Sequence, residues 1–541
     1  MKHLNKILAG CLIAFGMTAC SNDDGNTPDA PQKGTGMYAS LSLSLKGNGK
    51  RANSNAGDEF GQDFENKVGS ILVVLTEKDG NDYKVITTAT TDGVLNDGTG
   101  TGLNNKPKYT VLFEDYENLE TYAGKQVYVF AYCNPTTEIL NAVTPGASIA
   151  DLEAASINQQ IWSRNGFLMS NVELATSTLP DEDAIAKDYN TPEKAFDLTS
   201  GNAIPVVRSV ARFDFRETNN GIYPIKDVVN GNVVANIRLT GNMALMNLAN
   251  EFYYLPRIIN NNVTTLCPGM DALDGVNGDY VVSSRFEAKA TSDGTDLAGF
   301  FTHPLAGMTD YSSLPYTTVT GTEDDDEGWT STNKTGYHIW RYVTENTLPQ
   351  INSQLKGNTT AVVFQGVIEA AETTSEDLKA AMQNKDVLYL YNGVLVGNAL
   401  AVKETAQASP VSILAQAFVA AFGQALDSEE APADLEKASN GFTIYRYDET
   451  VKGYPVYYVY YNRHNNNADN AEMGDMEFGV VRNNVYKLAV TDIKKFGHAA
   501  KPDDDGDPEE PEDPDEEKDA YFTVTVEVLN WVVRVNDIVF E

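Results

Sequence analysis

Strict alternation of apolar and polar side chains marks two segments near opposite ends of the chain. In Met37–Leu45 the apolar side chains Leu41, Leu43 and Leu45 alternate with serines, which is the two-residue period of a half-buried strand. Residues 521–541 show the same period, and their apolar positions are Phe522, Val524, Val526 and Val528, followed by Trp531, Val533 and Val535. Because no further strand follows this second segment, we expect it to pair with another part of the protein or with another chain.

Between these two segments, short runs rich in Val, Ile, Tyr and Phe are separated by loops rich in Gly, Asn and Asp. This pattern is typical of antiparallel β-sandwiches. The predicted strands are residues 71–75, 109–113, 126–133, 206–215, 236–239, 361–368, 387–391, 442–447, 456–461 and 485–490. Only residues 411–426, which surround an Ala-rich run, show a clear helical period. The predicted fold class is therefore mostly β, with two antiparallel sandwich domains, a few helices and long loops.

The N-terminus has the pattern of an export signal. Lys2 and Lys6 precede an apolar run at residues 7–18, and Cys20 follows directly after Ala19. A small residue before a Cys at this place resembles the bacterial lipobox, in which the thiol is lipidated and becomes the mature N-terminus. An ordinary signal peptide that happens to contain Cys20 is the alternative. The apolar run is too short to span a bilayer by itself.

Composition gives two domain boundaries. A polar stretch at residues 201–205 separates two predicted sandwich domains. Residues 502–519 contain 12 acidic residues and four prolines, which oppose packing and keep a chain extended. The predicted organisation is a signal peptide (1–20), a propeptide with a releasable strand (21–51), an N-terminal sandwich (52–204), a C-terminal sandwich (205–501), an acidic linker (502–519) and a final strand (520–541).

The charge of the chain excludes one large class of function. The 541 residues include 76 acidic and 40 basic side chains, for a formal net charge of −36. Nucleic-acid binding depends on Lys and Arg that neutralise phosphates, so no nucleic-acid partner is expected. An anionic membrane surface is disfavoured for the same reason.

The residues offer no recognisable catalytic or metal site. The five histidines lack the spacing of zinc ligands, and no Gly-x-Ser-x-Gly motif is present. The acidic loop at residues 323–327 lacks the spacing of an EF-hand and is read as a solvated charge run. Cys133 continues the apolar face of a predicted strand, and the sequence leaves open whether it pairs with Cys267. No enzyme activity, cofactor or metal is predicted.

The two ends of the chain suggest a mechanism when they are considered together. The predicted strand Met37–Leu45 precedes a polar loop that contains Arg51. In an exposed loop of this kind, a trypsin-like protease could reach the peptide bond after Arg51. If cleavage released that strand, it would open an apolar sheet edge, which the C-terminal segment of another copy could fill by β-augmentation. Burying about six Val, Phe and Trp side chains would contribute roughly 9 to 18 kcal/mol before ordering costs. Such a head-to-tail contact generates an open filament.

These residues resemble the type V fimbrillins of Bacteroidales, specifically the shaft subunit of the short (minor) fimbria. The resemblance is carried by the lipoprotein signal, the strand and basic loop up to Arg51, the motif Arg-Ser-Val-Ala-Arg at residues 208–212, residues 480–497, and the acidic linker with the strand after it. It implies two transthyretin-like sandwiches, lipidation of Cys20, trypsin-like cleavage that leaves Ala52 as the new N-terminus, and polymerisation by strand exchange. The implied partners are other copies of the chain, anchor and tip fimbrial subunits, and an Arg-specific protease.

The function expected on this basis is that of a non-enzymatic fimbrial subunit. It would be exported as a lipoprotein to the outer membrane and would then join a cell-surface fimbria that supports adhesion, biofilm formation or colonisation. Two other interpretations stay open. One is a tip or accessory adhesin of the same system. The other is a monomeric surface glycan-binding lipoprotein, because 27 tyrosines and 4 tryptophans could supply stacking platforms. The sequence does not identify a host or bacterial receptor.

Overall fold

The structure is a computed structural model. It describes residues 36–45, 63–96, 108–149, 155–156, 161–163, 165–227, 230–249, 251–274, 278–284, 301–302, 309–310, 338–348, 354, 359–464, 474, 476–500 and 522–530. The predicted signal peptide, the loop that contains Arg51 and the acidic linker lie outside these ranges.

The described part of the chain is mostly β, as the sequence predicts. The strands of the first half are β1 (Met37–Leu45), β2 (Val68–Asp79), β3 (Asp82–Asn96), β4 (Lys108–Phe113), β5 (Gln126–Cys133), β6 (Ala155–Ser156), β7 (Trp162–Ser163), β8 (Gly166–Phe167), β9 (Met169–Asn171), β10 (Ala175–Thr178), β11 (Phe196–Asp197), β12 (Ala203–Arg208), β13 (Val210–Arg216), β14 (Ile222–Lys226), β15 (Val233–Met246), β16 (Leu248–Ala249), β17 (Glu251–Phe252), β18 (Arg257–Asn260) and β19 (Val263–Leu266). The strands of the second half are β20 (Tyr280–Val281), β21 (Phe301–Thr302), β22 (Thr309–Asp310), β23 (His338–Thr344), β24 (Asn346–Thr347), β25 (Ala361–Glu369), β26 (Leu388–Tyr391), β27 (Val394–Gly397), β28 (Thr443–Tyr445), β29 (Tyr454–Tyr461), β30 (Gly479–Val480), β31 (Asn484–Ile493) and β32 (Phe522–Asn530).

Helices are short and few among the described residues. They are α1 (Asp63–Asn66), α2 (Tyr116–Thr121), α3 (Thr137–Ala142), α4 (Glu182–Lys187), α5 (Glu376–Asn384), α6 (Ala399–Gln407) and α7 (Ile413–Phe422). Helix α7 confirms the helix predicted at residues 411–426. It begins after Ser412, whose side chain accepts a hydrogen bond from the Ala415 N–H, and it ends at Gly423 in the left-handed conformation. Helices α5 and α6 were not predicted, although Ser375 and Asn398 cap them in the same way.

The N-terminal strands form one nine-stranded sheet in the order β11-β1-β12-β9-β5-β2-β3, in which β4 also pairs with β1 and β10 with β5. Their buried side chains make a single hydrophobic core. Strand β2 contributes six consecutive buried residues, from Ile71 to Thr76, so both of its faces are covered. Most pairs are antiparallel, as predicted, but β1 runs parallel to β11 and β12.

Two further sheets face each other across a second core. One has the order β23-β13-β31-β32 and the other the order β14-β15-β25-β29. Side chains from both sheets meet in this core, for example Phe215 and Phe364, whose ring centroids are 5.7 Å apart. Strands β13 and β31 are parallel, which is the second departure from a purely antiparallel arrangement.

The strand predicted at residues 206–215 is two strands, β12 and β13, which meet at Ser209. Strand β12 belongs to the first sheet and β13 to the second. The Ser209 N–H donates to the Leu168 carbonyl at 2.9 Å, so the backbone leaves one sheet and enters the next within one residue. This crossing brings Arg208 and Arg212 to the junction between the two sheets.

A small sheet of strands β27, β26 and β28 packs against helices α5, α6 and α7. The contact between strand β27 and helix α5 can be tested by substitution. A Cβ on Gly397 would clash with the Cβ of Ala381 on helix α5. We expect Gly397→Ala to lower the free energy of unfolding by about 1–3 kcal/mol, measured by chemical denaturation. Ala381→Gly in the same chain restores the space, so the double variant should lose less than the sum of the two single variants. Simple additivity would contradict the contact.

Candidate functional site: the groove filled by the first strand

Strand β1 lies inside the first sheet and is paired along both of its edges. On one edge it is antiparallel to β4, from Met37 opposite Phe113 to Ser42 opposite Lys108. On the other edge it is parallel first to β11 and then to β12, where Leu43 lies opposite Ile204. Removing β1 would therefore expose the N–H and C=O groups of two neighbouring edges, which are costly to leave unpaired away from water.

The apolar face of β1 is completely buried. Met37, Ala39, Leu41 and Leu43 each have 0% of their surface exposed. The three large side chains among them contribute about 5–9 kcal/mol of burial free energy before the cost of ordering the chain. The predicted alternation is thus confirmed for Leu41 and Leu43, whereas the side chain of Leu45 lies outside the described residues.

One serine of β1 departs from the predicted polar face. Ser40 is buried, and its hydroxyl donates to the Phe196 carbonyl at 3.4 Å. The Ser40 carbonyl in turn accepts from the Leu198 N–H at 2.9 Å. Strand β11 and the turn after it cover this part of the face, while Ser42 and Ser44 remain partly exposed. The groove occupied by β1, which lies between β4 on one edge and β11 and β12 on the other, therefore contacts both faces of the strand near Ser40.

A buried group of charges lies where the first sheet meets the second. We call it the Glu65 cluster; its members are Glu65, Arg208, Arg212, Asp214 and Tyr342. Arg212 Nη1 donates to both carboxylate oxygens of Glu65, at 3.1 and 3.0 Å. The other side of the same guanidinium makes a bidentate pair with Asp214, with two distances of 2.8 Å. The hydroxyl of Tyr342 donates to Glu65 at 2.5 Å.

The two arginines of the cluster have different partners. Arg208 uses Nε to donate to the Glu65 carbonyl at 3.0 Å and Nη1 to donate to Asn483 Oδ1 at 3.1 Å. Burial lowers the pKa of Arg208 to about 10, and the nearby Glu65 carboxylate opposes that shift. Two guanidinium groups thus face two carboxylates in a site from which water is excluded, the condition under which buried charges are tolerated.

A second buried pair joins Arg482 to Glu345. Arg482 Nε and Nη2 each donate to a Glu345 carboxylate oxygen at 3.1 Å. The same guanidinium donates to the Tyr253 and Tyr254 carbonyls at 2.7 and 3.3 Å. The next residue, Asn483, has a φ of 57°, and its N–H donates to the Val210 carbonyl at 2.7 Å. The segment of residues 480–497 therefore combines a tight turn with strand β31, which contains the strand predicted at residues 485–490.

Strand β32 pairs with β31 of the same chain. The two are antiparallel, from Phe522 opposite Ile493 to Asn530 opposite Asn484. Strand β32 ends the order of its sheet, and the predicted apolar positions Phe522, Val524, Val526 and Val528 alternate along it. In this arrangement β32 and β1 lie in different sheets. Trp531, Val533 and Val535 lie outside the described residues.

The other predicted site residues fall in two groups. Cys20, Arg51 and Ala52 lie outside the described residues, so their roles stay predictions. Cys133 and Cys267 are buried free cysteines, and burial raises the pKa of Cys133 to about 12.

Glu65 was not predicted from the sequence as a member of the site. The signal that could have found it is the pair Arg208 and Arg212 in a predicted apolar strand, because charges placed there require a buried partner.

Within the described ranges, no group of three or more His, Cys, Asp or Glu side chains is arranged to hold a metal ion. None of the helices within those ranges is both long enough and apolar enough to cross a membrane.

An apolar groove of about 330 Å³ is lined by residues of strands β26 and β27 and of helices α6 and α7. Its lining includes Tyr389, Tyr391, Val394, Ile413 and Phe442. The hydroxyl of Tyr389 is engaged with Asp434 at 2.8 Å. The lining of this groove is therefore mostly aliphatic and aromatic, with few polar groups available to a ligand.

The structure thus defines a mostly β protein whose first strand fills the interior of a sheet and whose last described strand lies at a sheet edge. Residues 451–537 match the family described as major fimbrial subunit protein type IV, fimbrillin, C-terminal. This match, which includes β29, β31 and β32, confirms the resemblance to fimbrillins inferred from the sequence. No curated protein sequence matches the chain.

Solved structures of low sequence identity align along most of the chain. A fimbrilin (FimA) of Porphyromonas gingivalis W83 is 12% identical, with 93% of this chain and 99% of that chain covered and a TM-score of 0.35. The tip fimbrial protein Mfa3 of Porphyromonas gingivalis is 11% identical, with 92% and 99% covered and a TM-score of 0.30. A Parabacteroides distasonis protein described as a cell adhesion protein is 12% identical, with 92% and 99% covered and a TM-score of 0.42. At these scores the alignments carry no argument about function.

Burial along β1 predicts the effect of shortening its side chains. Leu41→Ala and Leu43→Ala should each lower the free energy of unfolding of the uncut chain by about 2–5 kcal/mol, because each leaves a cavity in the core. Ser44→Ala, on the opposite face of the same strand, should change it by less than about 0.5 kcal/mol. Chemical denaturation of the three variants measures the difference. Equal losses for Leu43→Ala and Ser44→Ala would show that β1 is not held by its apolar face.

Proposed function

We propose that this chain is a structural subunit of a cell-surface fimbria, the shaft subunit in particular, and that it polymerises by exchanging strand β1 for the C-terminal strand of another copy. The observation that carries the proposal is the position of β1. It is an interior strand, yet only five residues separate its last residue, Leu45, from Arg51, after which cleavage is predicted. The fimbrillin match over residues 451–537 supports the fimbrial class.

The proposed exchange begins with proteolysis. Cleavage after Arg51 by a trypsin-like protease makes Ala52 the new N-terminus and cuts the covalent link between β1 and the rest of the protein. Before the cut, β1 occupies the groove at high effective concentration and blocks a competing strand. After the cut, the released strand is diluted into solution, and a second chain can replace it between β4 and β12.

The donor in this proposal is the segment after the acidic linker. Residues 502–519 could extend over about 55 Å at ~3.1 Å per residue, and their like charges oppose collapse. In the single chain, β32 pairs with β31 at a sheet edge. This leaves one side of β32 without a neighbouring strand in the described part of the sheet. Donation to another copy therefore requires β32 to leave β31, and the donor contacts include Phe522, Val524, Val526 and Val528.

Transport and assembly complete the proposed function. Lipidation of Cys20 carries the precursor to the outer membrane as an exported lipoprotein, and cleavage then transfers the mature chain to the fimbria. The proposed partners are other copies of the chain and the anchor and tip subunits at the two ends of the fibre. Adhesion, biofilm formation or colonisation is the expected role, without enzyme activity or a cofactor.

Limited trypsin digestion of the precursor without its signal peptide tests this function. We expect a new N-terminus at Ala52 and a ladder of multimers on gels that resist SDS at room temperature, since many buried hydrogen bonds and apolar contacts must break together. The matched control is the same protein ended at residue 519, which should be cut at the same bond and stay monomeric.

Other outcomes would favour other functions. Removal of residues 21–51 without any multimers from the full chain would contradict self-polymerisation. If the cut monomer then binds polysaccharide, the glycan-binding interpretation is supported instead. If the protein ended at residue 519 is still incorporated into fimbriae, the chain is a tip or accessory subunit.

A further inference from the structure

Helix α1 is the first element that the structure describes after the predicted cleavage site. This helix spans Asp63–Asn66, and strand β2 begins two residues later at Val68. Strand β2 pairs with β3 on one edge and β5 on the other. After a cut at Arg51, the segment before β2 becomes a chain end, and chain ends fray unless they are tied down.

The side chain of Glu65 ties helix α1 to the second sheet. Its carboxylate accepts hydrogen bonds from Arg212 on β13, at 3.1 and 3.0 Å, and from Tyr342 on β23, at 2.5 Å. Glu65 and Arg212 have side-chain exposures of 0% and 1%. The Glu65 carboxylate thus links helix α1 to two strands of the second sheet, β13 and β23. Because the site is buried, water does not compete for these hydrogen bonds.

The backbone around Glu65 is held as well. Arg208 Nε donates to the Glu65 carbonyl at 3.0 Å, and Arg208 Nη2 donates to the Asn66 side-chain oxygen. Asn134 Nδ2 donates to the Lys67 carbonyl at 2.8 Å, and Asn134 Oδ1 accepts from the Gly69 N–H at 2.8 Å. Fixed side chains therefore contact the chain at four positions between residues 65 and 69.

We propose that Glu65 is a positioning residue that anchors the new N-terminal segment to the second sheet, so that β2 stays folded when β1 leaves the groove. The inference rests on the proposed exchange of β1. In the uncut chain, the segment of residues 46–67 is held at both ends, by β1 and by the Glu65 cluster. Once β1 has gone, the contacts that hold the described chain just before β2 include the Glu65 cluster, the Asn134 hydrogen bond to Lys67 and the packing of Phe64 against Phe167. Of these, the Glu65 cluster is the one that reaches the second sheet. A groove whose neighbouring strands stay in place is preorganised for an incoming strand.

Hydrogen exchange at the start of β2 tests the anchor directly. The proteins compared are wild type, Glu65→Ala and Glu65→Gln, each before and after trypsin cleavage. In the cut Glu65→Ala protein we expect amide exchange of residues 69–72 to be at least tenfold faster than in cut wild type. In the uncut pair the increase should be under threefold. Glu65→Gln keeps an acceptor for Tyr342, so its exchange rate after cleavage should lie between those of wild type and Glu65→Ala. It replaces Glu65→Ala in the comparison if that variant does not fold.

The matched control is Glu345→Ala, which removes an equally buried carboxylate whose hydrogen-bond donor is Arg482 and not a residue of the Glu65 cluster. This variant should lower the free energy of unfolding. The ratio of the amide exchange rates of residues 69–72 in the cut protein to those in the uncut protein should nevertheless equal the wild-type ratio. Equal exchange in cut wild type and cut Glu65→Ala would overturn the anchor, and so would an equal increase in Glu345→Ala. If wild type forms no multimers but cut Glu65→Ala frays, the proposed function fails while the anchor stands.

Discussion

The pairing of strand β1 along both edges is the interaction on which the rest of the structure depends. A strand in this position completes the hydrogen bonding of β4 on one side and of β11 and β12 on the other. Its buried face also supplies four members of the first core. The fold therefore requires a strand in this groove, but the contacts that hold it are backbone hydrogen bonds and apolar pockets. An extended segment with the same two-residue period can satisfy contacts of this kind, as the proposed exchange requires.

The buried charges restrict how the first sheet and the second sheet are placed relative to each other. Apolar contacts hold each core together but allow many relative placements of two packed layers, whereas a bidentate guanidinium pair specifies both distance and orientation. Arg212 makes such a pair with Asp214 on its own strand, β13, which orients the guanidinium, and its Nη1 then donates to Glu65 on helix α1. Since leaving any of these charges unpaired in the interior is costly, the cluster favours one register between the first sheet region and the second. This explains why charged residues occupy strands that are otherwise apolar.

Local patterns in the sequence predicted much of the fold because strands and their burial have local signatures. Each of the ten predicted strands overlaps a strand of the structure, and the alternation in Met37–Leu45 identified the buried positions Leu41 and Leu43. The helices α5 and α6 were missed because they are short and depend on packing against β26 and β27 more than on their own periodicity. The parallel pairs could not be predicted, since they join segments more than 150 residues apart for β1 and β11, and no local rule selects such a partner.

The candidate site was predictable only in part, for the same reason. The period of β1 shows that one face is buried, but the burial of Ser40 depends on β11, which covers it from far along the chain. Likewise, Arg208 and Arg212 signal a need for buried partners, while the choice of Glu65 depends on the route of the chain through helix α1. Patterns in sequence thus identify which residues need a partner, and the topology decides which partner they receive.

A reversible lock on β1 tests the central claim most directly. Ser42 of β1 lies opposite Lys108 of β4, a spacing in antiparallel sheets that a disulfide can bridge. A Ser42→Cys, Lys108→Cys protein, oxidised and then cut at Arg51, should remain monomeric until a reductant is added and should then form multimers at the rate of the cut wild-type protein. Multimers that form equally fast with the disulfide intact would show that β1 does not need to leave its groove, and that the account is wrong.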